Sequence, residues 1–310
     1  MTEKLKFKLL DALYIAIMIV PFLACMVIKV LTTPMSEGIS ITGARVFFEI
    51  NMPLQSLPVT ESQLNSVAVI IFLFGLCLYL THGLSTTPTL KRQHLCEMAV
   101  EATQNFVDSN MGARFAGFAP FVAAIMALSA ISSLSSLLGL YPPTSDLNIV
   151  AGWAILVFAL ITYFKLKGGV LNYLKSFIDP VPILAPFNVI SEVATPVSMS
   201  LRHYGNILSG SVIAALVGAA LSGLTKLVLG WLPAGIGDIP LLQIGIPALL
   251  SIYFDVFSGL LQAFIFAMLT MIYVSSAFNE QDYEAKMKKK AERRARRLAA
   301  REKKLLNNKT

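Results

Sequence analysis

The chain has 310 residues, 55% hydrophobic and 14% charged, against about a quarter charged in an ordinary soluble chain. So apolar a composition excludes a water-soluble globular protein and predicts an integral membrane protein whose polar residues are the informative ones. The formal net charge of +7 belongs to the tail, since Glu280 onward holds 12 basic and 5 acidic residues and the body before it is neutral; nucleic-acid binding is excluded as a main role.

The first apolar run, about Leu9 to Leu31, is too long for a signal-peptide core and predicts a membrane helix with Pro21 as a tolerated kink. Thr32 to Gln63 reads as a loop, with three prolines and three glutamates. The second span is about Leu64 to Leu84. Thr89 to Met111 is too polar to span, but Leu95, Met98, Ala99, Ala102 and Phe106 form a helical stripe. It predicts one interfacial amphipathic helix.

The third span runs from about Phe115 to Leu140 and ends at Tyr141-Pro142-Pro143; the fourth runs from about Leu147 to Phe164. After a basic loop come two longer apolar stretches, Pro186 to Trp231 and Leu241 to Phe278. Each exceeds the ~20 residues that cross hydrocarbon directly. Both therefore tilt, break or extend beyond the bilayer. The expected fold is all-α, with about six membrane helices.

Charge asymmetry orients this layout. With the N-terminus cytoplasmic, the inner segments hold Lys4, Lys6, Lys8, Lys91, Arg92, Arg114, Lys165, Lys167, Lys175 and the tail, while the outer loops hold only Lys29, Arg45 and Lys226. Positive residues stay inside, so both termini are expected in the cytoplasm.

Cys25, Cys77 and Cys96 make no metal-binding spacing, and His82, His94 and His203 do not assemble a ligand set. No phosphate-binding glycine loop is present. No metal or cofactor is expected.

Two ionisable residues lie inside apolar stretches. Arg202 sits about 16 residues into one of them, where a charge costs ~2.5–3.5 kcal/mol on insertion scales. Snorkelling, or a structural pair with Asp179 or Glu192, is the plain alternative to a functional role. Steps of three or four from Arg202 reach Ser191, Thr195, Ser198, Asn206, Ser209 and Gly210. So small and polar a face suits a sliding partner or a wet cavity rather than lipid. Asp255 shares a face with Gln262, with Ser258 and Gly259 between them. The alternative for Asp255 is a neutral, hydrogen-bonded carboxyl at a helix end.

The stretch "PFNVISEVATPVSMSLRHYGNILSG", followed by "LLQAFIFAMLTMIYVSSA", resembles subunit a of F-type ATP synthases. "PTSDLNIVAGWAILVFAL" at Pro143 to Leu160 and the "KLKGG" that follows are similar to family segments as well. The resemblance covers Leu64 to Phe278. It implies that Arg202 is the stator arginine facing the rotor ring, Asn206 the asparagine one turn later, and Gln262 the glutamine beside the arginine. Asp146 and Asn148 match polar residues near the outer end of the fourth span, and Glu192 a carboxylate before the arginine. Where many members carry a glutamate, this chain has Ser211, and Asp255 stands where some have a histidine. The carboxylate is therefore expected to have moved between helices.

The resemblance further implies two aqueous half-channels and H⁺ or Na⁺ as the ion. It implies a ring of c subunits as partner, with stator b subunits, lipid and, indirectly, the F1 sector. The seat is a bacterial plasma membrane, and no catalysis occurs in this chain itself. The expected organisation is an extra helix and external loop over 1–63, the family domain over 64–278 and a basic tail over 279–310. That tail is either a topology anchor or a helix on anionic headgroups or stator parts. The rivals are a secondary transporter with Arg202 reading an anion, disfavoured because no inverted repeat is visible, and a membrane-embedded enzyme, disfavoured by the missing catalytic set.

Overall fold

A computed structural model describes residues 3–32, 43–53, 56–85, 90–178, 181–229, 249–250, 252–278 and 288. The chain is an all-α integral membrane protein, and among the described residues six helices are long and apolar enough to cross a membrane. Asp179, the loop core at 33–42 and nearly all of the basic tail lie outside the described residues.

Helix α1 spans Glu3–Thr32 and carries Pro21 without interruption. Instead of a plain loop, a two-stranded antiparallel hairpin follows, β1 Val46–Ile50 and β2 Leu57–Thr60. The proline count hid its β-branched and aromatic runs, and Pro58 is tolerated because a two-stranded ribbon is all edge. Helix α2, Glu61–Thr81, starts earlier than hydropathy suggests. There the Gln63 side chain accepts from the Thr60 N–H at 3.4 Å, half of a capping box. Helix α3 is Lys91–Met111, the expected interfacial helix.

The third span is composite: 3₁₀ turns Ala113–Phe118 and Ser135–Leu138 flank α4, Ala119–Leu134. Helices α5, Leu147–Gly168, and α6, Val170–Ser176, come next. Helix α7 runs unbroken over Ala185–Leu229, 45 residues. At 1.5 Å per residue it is about 68 Å long, more than twice the ~30 Å of hydrocarbon. Such a helix has to tilt or leave the bilayer core. The last span opens with a π-helical turn, Ile252–Ser258, and continues as α8, Gly259–Ala277. Residues 241–248 of its predicted length lie outside the described residues.

The chain divides into two compact units. One comprises Met1–Trp153 and Met199–Leu269. In it, Phe22 and Cys25 of α1 pack with Ala68 and Val69 of α2 and with Leu140. Gly75 makes this closeness possible, because a Cβ there would meet Met18 Cγ at 2.9 Å.

Helix α1 is fastened at both ends. At one, Lys29 Nζ donates to the Gly139 carbonyl at 2.5 Å and lies 3.4 Å from Glu61. At the other, Arg92 Nη1 donates to Asp11 at 2.7 Å and Arg92 Nη2 donates to the His82 carbonyl at 2.7 Å. The Phe7 ring stacks on His82 with centroids 4.4 Å apart. Gly83 turns the chain there with φ +79, where a Cβ would lie 2.7 Å from Phe7.

The second unit comprises Ala154–Ser198 and Thr270–Thr310. Its buried apolar residues include Val157, Ile161, Met271 and Val274.

Candidate functional site

Within the first unit α7 has two unlike faces. Met199, Ser200, His203 and Ile207 are buried, whereas Arg202, Asn206 and Ser209 are exposed. Steps of three and four separate each set, so Arg202 lies on the exposed face of α7. Ser191 and Ser198 are exposed too. The guanidinium has no ion-pair partner among the described residues. Neither partner of the plain alternative is seen with it: Glu192 pairs elsewhere, and Asp179 lies outside the described residues.

Asn206 and Gln262 come together. Asn206 Nδ2 donates to Gln262 Oε1 at 2.7 Å, which joins α7 to α8 one turn after Arg202. Gln262 is 1% exposed, so that carbonyl would otherwise be an unmet acceptor. Below this bridge Gly210 admits the ring of Phe254, whose Cβ would lie 2.9 Å from a Cβ at 210. The neighbours Ser211 and Asp255 therefore stand at one level of the helix pair. Ser211 is exposed and its hydroxyl donates to the Leu208 carbonyl at 2.8 Å. Asp255 is partly buried and lies in the π-helical turn, a local geometry often found at functional positions.

A second polar cluster surrounds Asp146. Its carboxylate accepts from the Ser62 hydroxyl and, at 3.0 Å, from the Asn148 N–H, so it caps α5 while tying in α2. The Asn148 residue itself is exposed. Asn65 Nδ2 donates to the Tyr141 carbonyl at 2.8 Å. Burial, with Asp146 next in weight, pushes the Tyr141 phenol above its ordinary pKa.

Glu192 belongs to the second unit. Lys165 Nζ donates to its two carboxylate oxygens at 2.8 and 2.5 Å, and the Tyr173 hydroxyl lies 3.4 Å from one of them. Lys165 and Glu192 border a cavity of about 210 Å³ that Thr195, Tyr273 and Ser276 also line. Burial, and then the Glu192 carboxylate, raise the Tyr173 phenol pKa.

The sequence reading missed His203. It was weighed only as a metal ligand, yet it is 0% exposed and 3.2 Å from Ser129 Oγ, with Trp153 and Phe266 edge-on to its ring. The signal lay in its spacing: Met199 and Ile207 lie four residues to either side of it, an apolar face that packs inward. Glu61, Ser62 and Asn65 were also passed over, as the edge of a loop and part of a span. Among the described residues, no group of three or more His, Cys, Asp or Glu side chains is placed to hold a metal.

Residues 64–275 match the family model described as ATP synthase A chain. ATP synthase subunit a of Bacillus subtilis is 33% identical over 228 residues, 70% of this chain and 90% of that one. The subunit from Bacillus pumilus is 31% identical over 228 residues, with the same coverage. A sodium ion specific ATP synthase subunit a from Propionigenium modestum is 34% identical over 145 residues, 46% of this chain and less than half (43%) of that one.

Proposed function

The chain belongs to the ATP synthase A chain family, and from that premise we propose that Arg202 is the stator charge against which a rotor ring of c subunits turns. Members of the family are non-catalytic, multi-pass subunits of the F0 sector that serve ATP synthesis by ion transport, and this chain is one of them. The observation that carries the proposal is the outward set of Arg202. A lone cation on the outer face of a membrane helix is expensive in lipid. A row of rotor carboxylates would meet that charge, and the flanking serines permit close approach without locking.

In this reading each rotor carboxylate crosses the lipid neutral and ionises as it reaches Arg202. The guanidinium favours the charged form and so promotes ion release. It also bars direct leakage between two half-channels. Asn206 and Gln262 hold the two helices in register beside it. Asp146 and Asn148 stand near the outer half-channel, and Glu192, with its cavity, lines the inner one. Both termini are cytoplasmic, the membrane is a bacterial plasma membrane, and stator b subunits and the F1 sector complete the machine. The chain divides into the extra helix and hairpin over 1–63, the conducting domain over 64–278 and the tail over 279–310. Comparing ATP-driven ion pumping of wild type and Arg202→Ala in inverted vesicles tests the proposal.

Asp255 takes over the work of the carboxylate that Ser211 lacks. Support comes from the Gly210–Phe254 contact, which sets positions 211 and 255 at one level. Asp255→Asn should lower ATP-driven pumping at least tenfold, and Ser211→Glu in that background should restore part of it. Full pumping by Asp255→Ala would remove Asp255 from the path.

A further inference from the structure

The hairpin between α1 and α2 has one apolar face that its own chain leaves largely exposed. Residues paired across an antiparallel ribbon share a face, and neighbours along a strand alternate. Phe48 pairs with Val59 and Ile50 with Leu57, so four apolar side chains lie together. Phe48 is 58% exposed, Ile50 44% and Leu57 41%. Glu49, paired with Pro58, turns to the other face and is exposed as well. Exposed apolar clusters of this kind mark contacts with a membrane or with another protein.

The position of the hairpin selects the membrane. Arg45 precedes β1. Its Nη1 donates to the Thr32 carbonyl at 3.3 Å, at the end of α1, and its own carbonyl accepts from the Glu61 N–H at 2.8 Å, at the start of α2. Strand β2 runs straight into α2 at Thr60. The ribbon therefore begins and ends where two membrane spans leave the hydrocarbon. Strands of five and four residues reach only about 17 Å, so the ribbon stays near that level. Lys29 stands there too, 3.4 Å from Glu61, and cations at helix ends suit the lipid phosphates. The hydrocarbon core itself is closed to a two-stranded ribbon, whose outer edges carry unpaired N–H and C=O groups. The headgroup layer offers water to those edges and the first acyl methylenes to the apolar face.

We propose that the hairpin lies flat in the headgroup layer bordering Thr32 and Glu61, with Phe48, Ile50, Leu57 and Val59 sunk toward the acyl chains and Glu49 toward water. The occupant of the apolar face is lipid. Immersion sets the depth at which α2 begins, and with it the height of Ser62, whose hydroxyl donates to Asp146. This holds whichever role Arg202 plays.

The test uses the whole ATP synthase in liposomes, with Cys25, Cys77 and Cys96 replaced by Ser and the other subunits free of reactive cysteine. A nitroxide label is placed on Ile50→Cys or on Glu49→Cys. The label at 50 should collide with lipid-dissolved oxygen rather than with a water-soluble nickel chelate. Its oxygen-to-nickel collision ratio should exceed that at 49 by about threefold or more. Leu57→Cys and Pro58→Cys repeat the comparison on β2, and decide it if a β1 variant does not assemble. A ratio that does not differ between the two faces overturns the immersion. A label at 50 or 57 closed to both oxygen and nickel overturns it as well, since a protein then covers the face.

Discussion

Arg202→Ala is expected to abolish ATP-driven ion pumping and ATP synthesis, leaving F1 attached to the membrane. The loss should be complete within detection, because no other cation of the first unit is placed on the exposed face of α7 between Met199 and Ser209. Without the charge, an ionised rotor carboxylate has no counter-charge, and ions can pass between the half-channels unharnessed. One charge crossing 100 mV is worth ~2.3 kcal/mol, so even a modest leak drains the gradient. Arg202→Lys should recover little, since a lysine held in a dry contact readily loses its proton and lacks the planar fork. Dye-quenching assays of inverted vesicles, beside an assay of membrane-bound ATPase, separate lost coupling from lost assembly. Normal pumping by Arg202→Ala would remove the stator assignment.

The second large effect is structural. Arg92→Leu should destabilise the first unit by about 2–3 kcal/mol, somewhat below the 3–5 kcal/mol typical of breaking a fully buried pair. The discount reflects geometry: the Arg92 and Asp11 side chains are 12% and 23% exposed. The loss is large because Arg92 reaches Asp11 and the His82 carbonyl together and lies over the Phe7 and Tyr79 rings, 5.0 and 5.1 Å from their centroids. The variant leaves Asp11 with His82 alone. Asp11→Asn combined with Arg92→Leu should regain more than half of the loss, since it removes the stranded charge. Thermal unfolding of the detergent-solubilised complex measures both. A double variant no better than Arg92→Leu alone would show that packing on Phe7 and Tyr79, not the charge pair, holds α1 in place.

Much of this was legible in the chain. Six spans, the surface helix α3 and the polar face around Arg202 follow from hydropathy, period and length, which are local properties. Boundaries moved where local chemistry outweighed hydropathy. Thr60 and Gln63 start α2 before its apolar run begins, and Lys165, which pairs with Glu192 of α7, lies beyond the predicted end of the fourth span, on a helix that continues to Gly168. The hairpin was hidden because five- and four-residue strands among prolines carry too little pattern.

The sequence by itself determined that this is a membrane protein, where it spans, and that Arg202 is costly enough to need a purpose. Only the tertiary structure decided which polar groups meet. Asn206 and Gln262 are 56 residues apart and Ser129 and His203 are 74 apart, yet each pair is in contact. Glu192 took Lys165 rather than Arg202, and His203 turned inward as Arg202 turned outward. The physical reason is one of range. Transfer from water to lipid acts on each residue where it stands, so a string of residues records it. A hydrogen bond in a dry interior needs a partner within about 3 Å, and packing alone selects that partner.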